Sequence, residues 1–534
     1  MKFKIRGFKE KSSKWLLLSA TALTIGLSSC EKEKQFLELK TNDITSLDAK
    51  NAQGENIYDS QSENQRIFGK ALLEAMKKSP ALRTFIKKEA LKKFNHDYDV
   101  LFATVKHTVI EDGKTFRDIM LENVASEEVL KQIELTNPLL TIFVPSLPEN
   151  SFSAETWDTE NEIPDVALRL HTTNDVPCFG AERESYVIEA PYIPSYPIVV
   201  VKQNERVTSS LTKGYEIAHI QNPFTAVDGV EYKFMDKVYD NRRYLYRDAY
   251  SAVNYENRNI EPEVEEAYNI YRNANGWHRD YIYYGITPTT PNGRYTLDFQ
   301  ERITYFKLDE NNGSATGIYN YIADQSGSAP LEDPTAQVSQ SSAQASFWTD
   351  GGFEFKLAIL INADEGAELP KAFMADPEQL FNIVYSTDGI LFFPYKIHTK
   401  AYNPNLEIFD WDIQSYGTSI RINIEEQDRT ELKTKATSKS SEFATNFGLD
   451  VDNVFKKLGL EFGLSAKITR TDNMSVSYTE GSDDMSNVIV NFADDIIVRS
   501  QYIPTNGGIM LYKTREYSSN FFTISVEPVR VQSF

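Results

Sequence analysis

The chain has 534 residues, 77 acidic against 56 basic, and a formal net charge of −21. So acidic a surface repels phosphate backbones, which argues against a nucleic-acid partner and against docking on anionic lipid through a basic patch. With only two cysteines and 41 % hydrophobic residues, packing rather than a disulfide framework must hold the fold, and the length suits about two to four domains.

The first 29 residues carry Lys2, Lys4, Arg6, Lys9, Lys11 and Lys14, then an apolar run from Trp15 to Leu27. A charged start, a short apolar stretch and small residues at its end are the anatomy of a secretory signal. The run falls short of the ~20 apolar residues a spanning helix needs. It closes on Leu27-Ser28-Ser29-Cys30, which resembles the lipobox of bacterial lipoproteins. The resemblance implies that residues 1–29 are a signal peptide removed in front of Cys30. It also implies that the Cys30 thiol is diacylated, that the new amine is usually acylated too, and that the membrane is a partner through this anchor. Two or more acyl chains anchor stably, at about 0.8 kcal/mol per buried CH₂.

Residues 30–62 are mostly polar and read as a flexible tether, with too little apolar surface to order themselves. Glu31-Lys32-Glu33-Lys34 is similar to the charged export signals of Bacteroidota surface lipoproteins. That likeness implies an outer-membrane location, and the alternating signs leave open whether the periplasmic or the surface face is meant.

Residues 63–138 read as a small helical domain of four or five short helices. Phe68, Leu72, Ala75 and Met76 form one stripe, and Leu82, Phe85 and Ile86 the next. Ser79-Pro80 is a cap followed by proline at the first helical position, Asp112-Gly113 is a break, and Ser126-Glu127-Glu128 opens another helix. From 139 to 330 the pattern is β-rich, with runs at Leu139–Val144, Tyr196–Val201 and Glu301–Leu308 and one clear helix from Pro262 to Asn273. Ser326 to Ala345 reads as a long loop or linker. Residues 331–534 carry many short apolar runs, among them Phe353–Leu357, Ile390–Phe393, Arg421–Ile424, Val488–Val490 and Phe521–Val526, as an antiparallel sandwich would. The expected fold is therefore α+β and multidomain: a small N-terminal helical domain followed by antiparallel, β-rich, sandwich-like domains.

Catalytic signatures are missing from the sequence: no G-x-S-x-G, H-E-x-x-H, G-x-G-x-x-G or paired C-x-x-C occurs. Asp112-Gly113-Lys114-Thr115 has Thr108 where a phosphate loop needs glycine, and reads as a turn. The six histidines never stand at metal-ligand spacing on one element, so no metal or cofactor is expected. Cys178, in Val176-Pro177-Cys178-Phe179, reads as a small buried residue. Acidic pairs are frequent: Asp410 and Asp412, Asp483-Asp484 in a Gly-Ser turn, and Asp494-Asp495. Trp277, His278, Tyr281 and Tyr283 crowd amides and charges, the chemistry that meets a sugar face or a peptide; Tyr281-Ile282-Tyr283 equally suits a strand with one buried face.

Strict alternation is sharpest at Leu458, Leu460, Phe462, Leu464, Ala466 and Ile468, within a 441–480 segment whose other arm holds Phe443, Thr445, Phe447 and Leu449. Eleven alternating residues match the ~9–11 of a membrane-spanning β-strand. The segment resembles the insertion hairpins of β-pore-forming proteins such as the aerolysin class, and equally a hairpin in a soluble sandwich. Three functions follow as expectations. The first is a lipid-anchored envelope protein with a non-enzymatic binding or structural role toward a glycan or protein partner. The second is membrane insertion through 441–480. The third is a glycan-active hydrolase using acidic residues brought together by folding.

Overall fold

The computed structural model describes residues 57–170, 173–211, 224–226, 228–242, 260–310, 315–323, 347–361, 367–427, 432–433, 478–479, 483–504 and 509–531. Apart from the first residues of the opening helix, the architecture below is that of the compact unit Gln61–Phe534. Leu27, Ser28, Ser29 and Cys30, the 30–56 part of the tether and the 326–345 linker lie outside the described residues.

Local signals set the helices at the start. After α1 (Ile57–Lys78), Ser79 caps α2 (Pro80–Ala90) by accepting the Leu82 N–H at 2.9 Å, with Pro80 at the first position where its missing donor costs nothing. A short strand, β1 (Asp99–Leu101), precedes the one-turn α3 (Phe102–Val105). The hairpin of β2 (Val109–Glu111) and β3 (Lys114–Thr115) turns at Asp112 and Gly113, both at positive φ, which explains why Asp-Gly stands there. A capping box of Thr115 and Asp118 opens α4 (Phe116–Leu121), and Ser126 caps α5 (Glu127–Thr136).

These helices share their core with strands much later in the chain. β4 (Leu140–Phe143), β5 (Asp165–Leu168), β6 (Val176–Phe179), β7 (Tyr186–Ile188) and β9 (Ile198–Gln203) join β1 in a six-stranded sheet of order β1-β4-β9-β5-β6-β7; β8 (Ile193–Pro194) goes elsewhere. Only the β5–β9 pair is parallel. Phe68, Leu72, Met76 and Ile86 pack with Ile142, Val166, Val199 and Val201 in one buried cluster. The expected boundary at 138 therefore does not separate two cores: the helical stripes are covered by the sheet. Cys178 is buried within it, and burial pushes its thiol well up, so it is inert at neutral pH. β10 (Val207–Ser209), β11 (Phe224–Thr225) and β12 (Glu231–Phe234) form a small sheet beside it.

Beyond residue 260 come α6 (Pro262–Tyr271) and α7 (His278–Tyr284), then the ten-residue β13 (Phe299–Leu308) and α8 (Ala315–Ala323). After α9 (Phe347–Asp350), the strands are β14 (Phe353–Ile361), β15 (Ala367–Ala375), β16 (Phe381–Thr387), β17 (Leu391–Thr399), β18 (Leu406–Phe409), β19 (Ser419–Glu426), β20 (Leu432–Lys433), β21 (Tyr478–Thr479), β22 (Asp483–Asn491), β23 (Ile497–Ile503), β24 (Ile509–Thr514), β25 (Tyr517–Ser518) and β26 (Phe522–Arg530). Two antiparallel sheets, β18-β13-β26-β25 and β15-β14-β19-β22, face each other. Phe306 of the first lies 5.2 Å from both Phe355 and Phe373 of the second, centroid to centroid. The edges are matched too, with β15 beside β18 and β22 beside β25, which covers strands that would otherwise offer open edges. Because β13 pairs along its length with β26, the sandwich begins near residue 299 rather than at 331. The fold class is α+β, with helices first and antiparallel sheets after.

Tyr281-Ile282-Tyr283 is helical, not a strand. The Trp277 N–H reaches the Asp280 carboxylate at 3.4 Å, and Gly285 at φ 67° ends α7 with its own N–H on the Tyr281 carbonyl and that of Ile286 on Asp280. α7 carries Arg279 into the sandwich core, where its guanidinium grips Glu301 of β13 in two bonds of 2.7 and 2.8 Å with both residues buried. Removing one partner strands a buried charge, whereas replacing both does not. Arg279→Ala is expected to lower the unfolding free energy by about 3–5 kcal/mol, and Arg279→Met with Glu301→Leu to recover most of that loss, as read by urea denaturation. Equal loss in the single and double variants would contradict this role.

Candidate functional site

Of the four residues singled out as a ligand face, Trp277, His278 and Tyr283 are buried and Tyr281 is half-buried. Tyr283 sits edge-on to Trp411 at 5.4 Å and donates to Glu301 at 3.1 Å. The His278 Nδ1 accepts the Ile496 N–H at 3.0 Å, and burial holds its pKa down to about 4, so the ring is neutral. The structure brings these four together around α7, and an exposed ligand face is corrected for Trp277, His278 and Tyr283, whose rings are buried because α7 has its apolar side on the sandwich; Tyr281 stays partly exposed. The acidic pairs are dispersed as well. Asp412 accepts the Tyr284 hydroxyl at 2.9 Å, Asp494 accepts from Tyr517 at 3.3 Å, and Asp483-Asp484 open β22 opposite Glu426 and Glu425 instead of forming a turn.

The densest polar constellation lies where β9, β14 and the loops around Asp97 and Arg206 meet, and the sequence reading did not single it out. Lys202, near the end of β9, points its ammonium to the Asp350 carbonyl, with Asp99 and Glu205 both at 3.7 Å. Arg206 pairs with Asp97 at 2.8 Å and with Glu354 of β14, and donates to the Asn95 carbonyl at 2.7 Å. Arg169 binds Asp350 at 3.0 Å. Asn95 and Asn204 donate to Asp99 at 2.8 and 3.1 Å, and Gln427 reaches the Glu205 carbonyl at 3.1 Å. Gly351, at φ 103°, makes the approach feasible: a Cβ there would come within 2.3 Å of the Asp97 carboxylate.

Five carboxylates (Asp97, Asp99, Glu205, Asp350, Glu354) thus face three cations, nearly all of them buried. Burial pushes Asp99 and Glu354 up against the pull of Lys202 and Arg206, and pushes Glu205 up to about 8 against the pull of Lys202, with the nearby carboxylates of Asp350 and Glu354 adding to the rise. Among the described residues no group of three or more His, Cys, Asp or Glu side chains is arranged to hold a metal ion. What the seam does chemically is join elements: Arg206 and Lys202 tie the six-stranded sheet to β14 of the sandwich and to Asp350 just before it.

A second concavity of about 250 Å³ lies between α3, α5 and β12. Its wall holds the buried Lys106 ammonium, paired with Asp228 at 2.6 Å and Glu134 at 3.2 Å, and Leu135 and Leu211 stand exposed at its rim. It is smaller than the ~300–1,000 Å³ usual for a ligand pocket.

Leu458, Leu460, Phe462, Leu464 and Ile468 lie outside the described residues. The residues on either side are described: β20 and β21 pair antiparallel, Leu432 opposite Thr479 and Lys433 opposite Tyr478. Among the described residues no helix is long and apolar enough to cross a membrane. Compared with known proteins, the chain matches no family, no curated protein and no solved structure.

The charge balance of the seam has a measurable sign. The folded state keeps on Glu205 a proton that the unfolded chain releases above its ordinary value of 4.5, so stability falls as pH rises from there to about 8. His278, held down to about 4, acts oppositely below 6.5, so from pH 6.5 to 8 the slope is set by Glu205 together with Glu354 and Asp280, each pushed up to about 7 by burial. Denaturant midpoints are expected to fall across that window, and Glu205→Gln to flatten the fall. A variant with the parent's slope would contradict the assignment.

Proposed function

We propose that the protein is a lipid-anchored cell-envelope lipoprotein, held at the outer membrane through Cys30, whose folded body has a binding or structural role rather than a catalytic one. The observation that carries this reading is the sequence Leu27-Ser28-Ser29-Cys30 behind a charged start and a short apolar run, followed by a polar tether. Anchoring by two or more acyl chains needs no spanning helix. The seam and the α7 cluster support a body built for rigidity: their ionisable groups are engaged with one another. Labelled palmitate is expected to enter the protein in cells, and Cys30→Ala to abolish labelling and move the chain from the membrane to the soluble fraction. Labelling that survives Cys30→Ala would overturn the reading.

A second reading, insertion of the 441–480 segment into a bilayer, is favoured by one observation, the antiparallel base formed by β20 and β21. This reading predicts dye leakage from liposomes that Leu460→Asp with Leu464→Asp abolishes. Absence of leakage from the parent chain, across lipid compositions and pH, would remove it.

A further inference from the structure

The hairpin of β16 and β17 presents an exposed face that carries no acidic side chain. Phe381, Phe392 and Ile397 point into the protein. Outward lie the opposed pairs Asn382–His398, Val384–Lys396 and Ser386–Phe393, with a register shift after Val384 that leaves Tyr395 as the extra residue. The bulge sets Tyr395 and Lys396 side by side on the exposed surface, which is how bulges re-aim side chains at functional sites. Tyr395 is 57 % and Phe393 36 % exposed, and Tyr192 braces the Phe393 ring edge-on at 6.3 Å. None of the outward residues of the two strands is acidic, although the chain has 77 Asp and Glu, and Lys396 makes no ion pair among the described residues.

We infer that this face is a platform for a short acidic oligosaccharide. It names a partner for the binding role proposed above and rests on that reading. The aromatic rings, held on strands and losing little freedom, offer flat apolar surface to the C–H face of a sugar. Lys396 meets the sugar carboxylate, and Asn382 and His398 supply polar atoms for hydroxyl groups. Size separates this occupant from others. Five residue steps of ~3.3 Å by two strands give a strip about 16 Å long and 10 Å wide, far below the ~800 Å² a protein partner covers on each side. A single lysine contributes only about 1 kcal/mol toward an anionic bilayer, which the acidic remainder of the chain would oppose.

The test is calorimetric titration of the full chain in detergent with trigalacturonate and sialyllactose, with neutral maltotriose and hexaglutamate as comparators. Acidic sugars are expected to bind, maltotriose at least about tenfold more weakly, and Tyr395→Ala or Lys396→Ala each to weaken acidic-sugar binding about tenfold with unchanged thermal unfolding, while Lys396→Arg retains it. Failure of both acidic sugars to bind, equal affinity for maltotriose, tighter binding of hexaglutamate, or parent-like affinity of both alanine variants would each overturn the inference. Because the titration needs no acyl chain, its failure is separable from a failure of labelling at Cys30.

Discussion

Arg206 and Lys202 carry two charges into a region where neither meets bulk water, and the surrounding fold is arranged to keep them paired. Their partners come from three directions: Asp97 and Asp99 at the start of the six-stranded sheet, Glu205 on the same loop, and Asp350 and Glu354 around the start of β14. Stranding either charge without its partners costs several kcal/mol, a large share of a domain's net stability. The seam therefore fixes the position of the sheet against the sandwich more firmly than apolar contact alone, which is non-directional.

Around that seam two large apolar clusters do most of the work of folding. One holds the helical stripes of α1 and α2 against the sheet; the other fills the sandwich with Phe306, Phe355, Phe373 and their neighbours. Trp348 and Phe392, from the C-terminal half, pack into the first cluster, so the chain's halves are interleaved. The strands of such a body hold outward side chains such as Tyr395 and Lys396 on a fixed backbone.

Much of the local structure was legible because its causes are local. Ser79-Pro80, Asp112-Gly113 and Ser126-Glu127-Glu128 each set the capping or turn chemistry of the residues beside them, and the strands at Leu140, Ile198 and Phe299 follow from apolar runs. What failed was non-local. The boundaries at 138 and 330 looked natural where the pattern changes, but β13 finds its partner in β26, more than 200 residues later, and no local signal announces that. In the α7 segment the alternation of Tyr281, Ile282 and Tyr283 suits a strand, whereas Asp280 and Gly285 start and stop a helix. The seam has no local signature because its members are scattered from Asn95 to Gln427; its one trace in the sequence is the polar run Lys202 to Arg206 directly after the apolar Val199–Val201.

The account joins a rigid α+β body to a membrane by fatty chains on one sulfur. Intact-mass analysis of the protein extracted from its native membrane tests that claim most directly. The account predicts a chain that begins at residue 30 and is heavier than its sequence by the mass of a diacylglyceryl group, usually with a further acyl group on the amine. A chain that retains its leader, or that carries an unmodified thiol at Cys30, would contradict it.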